Sequence, residues 1–155
     1  MSDLTFRAAT RGDLRAIVAM LSDDELAENR EKPVSGDGVG EEYTKAFAAM
    51  EGEHYNHMLL AESGGKIVGC LQLVFVPGLS RRGARRAIIE SVRVTSNMRG
   101  QNVGTAIMKE AIRLAREGGC ALVQLTSDTR RSRAHLFYRR LGFVQSHCGF
   151  KKELI

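Results

Sequence analysis

The chain has 155 residues, 43% of them hydrophobic, and its 23 lysines and arginines exceed its 18 aspartates and glutamates, giving a formal net charge of +5 at pH 7. This length fits one domain over residues 1–155 with a real core. No apolar run approaches the roughly 20 residues that cross a bilayer, so we expect no membrane partner. The positive charge favours an anionic partner. No helix-turn-helix, zinc-finger or aromatic RNA-binding signature is present, so a polyphosphate cofactor explains the charge more economically than nucleic acid.

The cysteines and the start of the chain indicate a compartment. Residues 1–5 show no basic region followed by a long apolar stretch, so no secretory signal is visible. Cys70, Cys120 and Cys148 form no closely spaced pair, and an odd count of this kind is typical of reduced thiols in the cytoplasm. Cys70 and Cys120 lie in apolar runs, so we predict that both are small core residues.

Hydrophobic periodicity divides the first half of the chain into alternating strand and helix patterns. Thr10, followed by Asp13, is a plausible N-cap for the first helix. The predicted elements are a strand at 4–8, an amphipathic helix with apolar positions 14, 17, 18 and 21, an acidic helix or loop at 22–31, a glycine-rich loop at 33–40, a second helix with apolar positions 43, 46, 47 and 50, a strand at 57–62, a hairpin turn at 63–66 and a return strand at 67–76.

The second half begins with a basic loop at 79–86, which leads into a strand at 87–94. The next helix has apolar residues at 103, 107, 111 and 114, and it closes at Gly118 and Gly119. The remaining patterns predict a short buried strand at 121–126, a helix at 132–141 that stops at Gly142, and a terminal strand or hairpin from 143–145 and 150–154. This order predicts an α+β fold with a mixed sheet of six or seven strands and about four helices.

The turn between the strand at 87–94 and the following helix has the chemistry of an anion site. Backbone N–H groups in the first turn of a helix have no internal partner, and the helix dipole adds a positive end. Gly100 and Gly104 let a ligand approach the backbone because they carry no Cβ, and Arg99 supplies a positive charge. Asn102, between the glycines, is one of the non-glycine residues best suited to a left-handed conformation.

These residues carry a family resemblance. The stretch Arg-Gly-x-x-Val-Gly-Thr-Ala resembles the pyrophosphate-binding signature of the GNAT family of N-acetyltransferases, Gln/Arg-x-x-Gly-x-Gly/Ala. Arg99 and Gly104 match it, and Asn102 stands where the family usually has its first glycine. Residues 134–143 are similar to the family's Asn-x-x-Ala-x-x-Phe-Tyr-x-x-x-Gly-Phe, with Arg131 at the position of the Asn. Within the family, the chain resembles the aminoalkylphosphonate N-acetyltransferases.

The resemblance implies an acyl-CoA N-acyltransferase fold and transfer of the acetyl group of acetyl-CoA, a co-substrate, to the primary amine of a small molecule. The amine attacks directly in a ternary complex, without an acyl-enzyme. The resemblance also assigns cofactor contacts. It gives Val92 and Val94 to the pantetheine arm, and its further cofactor-binding positions are Arg99, Gly100, Gln101, Asn102, Val103, Gly104, Thr105, Arg131, Ala134 and Tyr138.

Two residues are candidates for proton transfer. Tyr138 is the family's tyrosine, and a phenol with a reference pKa near ~10 is a plausible acid for a departing thiolate. The alternative is that Tyr138 belongs to the core, because it shares a helix face with Ala134, Phe137 and Leu141. Glu90 is the sole carboxylate in an apolar and basic run, and burial would raise the pKa of such a base. The alternative for Glu90 is a solvent-facing or ion-paired side chain.

The basic loop is the candidate acceptor wall, with Arg81 and Arg82, beside Glu90, as tentative substrate residues. Arginine pairs with phosphonate or carboxylate through two parallel hydrogen bonds, so we expect an anionic, aminophosphonate- or amino acid-like amine. Alternatively, these arginines are solvated or contact the 3′-phosphate of coenzyme A. The acidic segment 23–31 favours the opposite prediction, a polycationic amine. The spacing of His54 and His57 does not make a metal site, so we expect no metal.

Three other functions stay open at this level. The chain could be a non-catalytic acyl-CoA binding or sensing module, an acetyltransferase for a protein or peptide amine, or a basic nucleic-acid-binding domain. The presence of Tyr138 and Glu90 favours catalysis over sensing. Dimers formed through an edge strand are common in such folds, so a homodimer is compatible with the sequence.

Overall fold

The computed structural model describes residues 3–27, 30–31, 34, 36 and 38–155. The chain divides into two compact units, Met1–Gln124 and Leu125–Ile155. The helices and strands are β1 (Leu4–Ala8), α1 (Leu14–Ser22), α2 (Glu41–Glu51), β2 (Asn56–Ser63), β3 (Lys66–Val76), α3 (Ser80–Gly83), β4 (Arg86–Val94), α4 (Val103–Glu117), β5 (Leu122–Leu125) and α5 (Ser132–Arg140), with short 3₁₀ turns at Arg11–Asp13 and Ser96–Met98.

The first unit is built on a sheet whose strands run in the order β1-β2-β3-β4-β5. The first four strands pair as antiparallel neighbours. The β4–β5 connection contains the whole of α4, whereas the tight turn between β2 and β3 contains only Gly64 and Gly65. The strands β1, β2 and β3 and the helices α1 and α2 lie where the hydrophobic pattern predicted them, within one residue at the strand ends.

Helices cover both faces of the sheet. On one face, α1 and α2 pack on β2 and β3, and the buried residues of this cluster are Leu14, Ile17, Met20, Phe47, Met58, Leu60 and Cys70. Leu59, Leu71 and Leu73 are one residue out of step with Leu60 and Cys70, so they point to the other face and are buried there. Gly69 belongs to that second face, because a Cβ on it would lie 3.2 Å from Val103 of α4.

Local chemistry explains where the helices begin and end. The backbone N–H and the hydroxyl of Thr10 both donate to Asp13 Oδ2, at 2.7 and 3.0 Å, just before α1. Arg7 bonds both Asp13 and Glu62, and its hydrogen bond holds the pKa of the Asp13 carboxyl well below the ordinary value. In α4 the buried face consists of Val103, Ile107, Met108, Ala111 and Ala115, and the helix ends before Gly118 and the left-handed Gly119.

Strand β4 contains a bulge that the sequence pattern did not predict. Gln72 lies opposite Glu90 and Cys70 lies opposite Arg93, so two residues of β4 oppose the single Leu71. Ser91 has a φ of 54°, a left-handed conformation that is uncommon for a residue with a Cβ. One extra residue turns everything beyond it to the opposite face. Consequently Glu90 and Arg93 share the face covered by α1 and α2, whereas Val94, opposite Gly69, belongs to the α4 face.

Several predictions about the fold were wrong. The sheet has five strands instead of six or seven, because residues 143–145 and 150–154 form no strand. Apart from the half-buried Phe143, their large apolar side chains are exposed, with Val144 at 82% and Phe150 at 93%. A strand exists only where a neighbour pairs with its backbone. Strand β5 and Cys120 were predicted to be buried, but both are half-buried. Cys70 lies in the core as predicted, and burial raises the pKa of its thiol to about 12.

The loop predicted at 33–40 lies partly outside the described residues, since 33, 35 and 37 are not described. Of the segment predicted as a helix or loop at 22–31, residues 23–26 form bends and turns, and residues 28 and 29 lie outside the described residues. Among the described residues, none of the helices has the length and apolar character that spanning a membrane requires. The prediction of one domain over residues 1–155 stays a prediction.

Candidate active site

The turn before α4 has the conformation that the sequence predicted for an anion site. Asn102 immediately precedes the helix in a left-handed conformation, with φ 64° and ψ 8°, and its side chain makes no capping hydrogen bond. Gly100 has a φ of 79°, and a Cβ there would meet no atom within 4 Å. The N–H of Ala106 donates to the carbonyl of Asn102 at 3.0 Å. The N–H groups of residues 103–105 are therefore the first-turn donors that have no partner inside the helix.

Arg99 lies at this turn, and its guanidinium already donates hydrogen bonds to Asp23 and Val94. Its Nη2 donates to the Oδ2 and to the main-chain carbonyl of Asp23, both at 3.0 Å, and its Nε donates to the carbonyl of Val94 at 3.3 Å. The guanidinium and the carboxylate are each about half exposed, at 54% and 52%. The fixed charge predicted for an anion is thus partly neutralised by Asp23. Asp23, in the acidic segment that was considered from the sequence as a site for a polycationic amine, therefore pairs with an arginine of the chain itself.

The neighbouring acidic residue secures β4. Arg93 Nη2 lies 2.9 Å from Asp24 Oδ2, and the two side chains are only 22% and 7% exposed. Arg93 also donates to the carbonyl of Val92 at 2.9 Å, beside the bulge. The consecutive aspartates that follow α1 therefore bind two arginines, one between the predicted cofactor positions Val92 and Val94 and one at the turn before α4. An arginine between two valines of a strand is the sequence signal for such a buried partner.

The candidate base Glu90 is exposed, so the expectation of a buried carboxylate was wrong. Its position explains this, because Glu90 precedes the bulge and lies opposite the half-buried Gln72 rather than opposite an apolar residue. Gln72 belongs to a polar chain that sequence reasoning missed. Gln72 Nε2 donates to Asn56 Oδ1 at 2.7 Å, and Asn56 Nδ2 donates to Glu53 Oε2 at 3.0 Å.

The arginine loop separates into two kinds of residue. Arg85 is structural: its guanidinium lies 4.4 Å from the Tyr55 ring centroid and donates to the carbonyl of Gly118 at 2.8 Å. Arg81 and Arg82 are exposed in α3, and both are left-handed, with φ values of 55° and 62°. Two consecutive left-handed residues cost roughly 1–2 kcal/mol each, and such strain clusters at binding sites.

A cavity of about 180 Å³ lies beside the first residues of β2 and the last residues of α2. Its wall includes Phe47, Met50, Glu53, His54 and Asn56. The His54 ring packs edge-on against Tyr55, with 4.9 Å between centroids. Within the part of the chain that the structure describes, histidines, cysteines and acidic residues nowhere gather in a group of three or more that would hold a metal ion.

The second unit carries the remaining predicted residues. Ala134 and Tyr138 are four residues apart and share one side of α5, whereas Arg131 is the residue that immediately precedes the helix. Tyr138 is half-buried, and its ring centroid lies 5.3 Å from that of Phe137 and 6.0 Å from that of Phe143. This packing is compatible with a role as a general acid and with a role in the core, so the function of Tyr138 stays a prediction.

Residues 19–143 match the family described as Acetyltransferase (GNAT) family. The chain belongs to the GNAT acetyltransferases. The aminoalkylphosphonate N-acetyltransferase of Salmonella typhimurium is 35% identical over 112 residues, which are 72% of this chain and 72% of that protein. Glucosamine 6-phosphate N-acetyltransferase of Trypanosoma brucei brucei is 34% identical over 79 residues, 51% of this chain and 52% of that protein. The crystal structure of a transcriptional regulator from Bacillus halodurans C-125 is 41% identical, with a TM-score of 0.93, and the match covers 98% of this chain and 100% of that one.

The GNAT assignment confirms the resemblance seen in the sequence, and it makes the protein an enzyme of the N-acetyltransferase type. The five-stranded sheet with its four long helices is the GNAT acyltransferase fold.

Proposed function

We propose that this GNAT acetyltransferase uses acetyl-CoA as its co-substrate and binds the pyrophosphate at the turn formed by residues 99–105. The observation that carries the proposal is the left-handed Asn102 at the start of α4, beside the open Gly100. This conformation directs first-turn N–H groups at a ligand, and a helix N-terminus favours negative charge. The pantetheine arm is proposed to bond the main chain at Val92 and Val94, next to a bulge whose extra residue interrupts the ladder.

The proposed reaction is direct attack of a primary amine on the thioester. The ammonium first loses a proton, its nitrogen then forms a bond to the carbonyl carbon, and the carbon–sulfur bond breaks. The products are the N-acetyl amide and the thiol of coenzyme A. The thiolate takes the phenol proton of Tyr138, and the second proton that the nitrogen loses restores the phenol, so protons balance.

Glu90 is proposed to take the first proton, directly or through water. Glu90 is exposed, and this supports the role because substrate and solvent can both reach the carboxylate. An exposed carboxylate can accept a proton from an incoming ammonium and return it to solvent. Tyr138 is proposed to protonate the departing thiolate, since a phenol with a reference pKa near ~10 is well matched to a thiol.

We propose an acceptor amine that carries an anionic group. Two relatives are named for amines that bear a phosphonate or a phosphate. Arg81 and Arg82 support the same chemistry, because they are exposed, strained and located on the loop that leads into the strand of Glu90. Arginine recognises phosphonate through two parallel hydrogen bonds.

The test is a thiol-release assay with acetyl-CoA and two amines of similar size, 2-aminoethylphosphonate and ethanolamine. We expect the phosphonate to be acetylated with the higher kcat/KM, and we expect Arg81→Ala/Arg82→Ala to remove that preference. A matched control is Arg15→Ala/Arg116→Ala, which deletes the same charge from exposed positions on α1 and α4. Equal efficiency with ethanolamine, or equal effects of the two double variants, refutes the anionic acceptor.

The same assay addresses the other acceptors. Thiol release with a lysine-containing peptide but with neither small amine would replace the small-molecule acceptor by a peptide amine. Coenzyme A binding without thiol release from any amine would refute catalysis. Cytoplasmic location, a single domain over residues 1–155 and an edge-strand homodimer remain part of the proposal, and they rest on the sequence.

A further inference from the structure

The polar chain Gln72–Asn56–Glu53 has a fixed direction. A carboxylate oxygen accepts hydrogen bonds, so Asn56 must turn its Nδ2 towards Glu53 Oε2, 3.0 Å away. The same amide then presents Oδ1 to its other neighbour, which obliges Gln72 to donate from Nε2 at 2.7 Å. Glu53 at one end thereby determines which atom Gln72 presents at the other. In the part of the chain that the structure describes, Gln72 Oε1 has no hydrogen-bond partner.

Gln72 also has a defined neighbour on the other side. It lies directly opposite Glu90 on β4, and directly opposite Met58 on β2. Opposed residues of antiparallel strands have Cβ atoms about 4.5–5.5 Å apart and point to the same face. Met58 is buried in the cluster beneath α1 and α2. Across the same face of the sheet, Gln72 is half-buried and Glu90 is exposed.

The pair offers two acceptor groups. One N–H of Gln72 Nε2 is used by Asn56 Oδ1, which leaves the carboxamide oxygen Oε1 as an unpaired acceptor among the described residues, and Glu90 contributes a carboxylate. The negative charge of Glu90 beside that oxygen disfavours an anion. A primary ammonium, with three N–H donors and one positive charge, matches both groups.

We propose that Gln72 is a positioning residue for the acceptor amine, and that its Oε1 holds one N–H of the ammonium while Glu90 holds and removes another. Asn56 and Glu53 keep the Gln72 carboxamide in the accepting orientation. With two N–H directions fixed in this way, loss of the proton to Glu90 leaves the nitrogen lone pair in a defined direction for attack on the thioester. This inference rests on the proposed function and adds the part of the acceptor site that recognises the amine itself.

The direct test is Gln72→Met, which retains the length of the side chain and removes its hydrogen bonds. With 2-aminoethylphosphonate and ethanolamine as probes, we expect KM for the amine to rise about tenfold, the scale of one hydrogen bond to a charged group. We expect kcat to change less and the affinity for coenzyme A to stay unchanged. A purely structural role would lower the unfolding temperature and leave the KM for the amine as it is.

The decisive test is Glu53→Gln, because this residue acts only through the chain. A carboxamide at position 53 accepts or donates, so Asn56 and Gln72 are free to turn over and present an N–H to the ammonium. If about half of the molecules turn over, KM rises about twofold, because only the other half bind the ammonium. The matched control is Glu51→Gln, which removes the same charge from the end of α2, where Glu51 pairs with Arg11 and not with Asn56. We expect no change in KM for the control.

The outcomes separate this inference from the function on which it rests. Unchanged KM in Gln72→Met with an active wild-type protein overturns the role of Gln72. Equal effects of Glu53→Gln and Glu51→Gln overturn the orienting chain, because a shared effect reports only lost charge. Wild-type protein that releases no thiol with any amine overturns the proposed function itself.

Discussion

The left-handed conformation of Asn102 gives a quantitative prediction. Its side chain makes no capping bond, so the contribution of this residue is its backbone conformation. Alanine in the left-handed region costs roughly 1–2 kcal/mol, and asparagine tolerates the region better. Glycine removes the strain but adds roughly 0.5–1 kcal/mol of conformational entropy to the unfolded chain. We therefore expect Asn102→Ala to lower the free energy of unfolding by about 1 kcal/mol, and Asn102→Gly to leave it nearly unchanged.

Urea unfolding followed by circular dichroism measures these differences. In a domain of this size, the alanine variant should also unfold about 2–4 °C lower. The control is Asn97→Ala, an exposed position in the 3₁₀ turn Ser96–Met98 without a positive φ, where a change within about 0.5 kcal/mol is expected. If Asn102→Ala is as stable as wild type, or Asn102→Gly is the less stable of the two variants, the reasoning about this turn is refuted.

Three further predictions concern proton transfer and acid stability. Tyr138→Phe should lower kcat by about 10²-fold with little change in cofactor affinity; lost thermal stability without a kinetic defect would make Tyr138 a core residue. Glu90→Gln should lower the rate and flatten the acidic limb of the pH–rate profile, and an unaltered limb would assign the base elsewhere. Arg7 lowers the pKa of Asp13 from its ordinary value near 3.8, so the stability that this pair contributes is present above that pH and is lost as the pH falls further. Asp13→Asn should therefore unfold at a temperature that varies less between pH 5 and pH 2.5 (roughly the span of this titration); parallel curves for the two proteins would contradict this.

The sequence predicted most of the first unit because its signals are local. Val103, Ile107 and Ala111 repeat at helical spacing and are buried, and the sequence alone predicts a turn at Asn102. The terminal segment failed for the complementary reason. Val144 and Phe150 have the composition of a strand, but a strand requires a partner, and periodicity does not reveal whether one is present.

The details of the site depended on contacts between distant residues. Arg99 and Asp23 are 76 positions apart, and no pattern joins them. The bulge at Ser91 changes which side chains of β4 share a face, and a serine, unlike an asparagine, gives no sequence signal for a positive φ. Gln72 lies within a predicted strand and Asn56 just before one, and the sequence does not reveal that hydrogen bonds join both of them to Glu53 or that Glu90 lies opposite Gln72.

The most direct test of the account is calorimetric titration of coenzyme A into Gly104→Val. A β-branched side chain at the second residue of α4 would occupy the approach of the pyrophosphate to the first-turn N–H groups. The control is Gly12→Val, where a new Cβ meets only the Thr10 hydroxyl, at 3.8 Å. We predict that affinity falls by about tenfold or more in Gly104→Val, the scale of one charge-assisted hydrogen bond, while the far-ultraviolet circular dichroism and the control's affinity remain those of wild type. Unchanged affinity for coenzyme A in folded Gly104→Val would contradict the assignment of the cofactor to this turn.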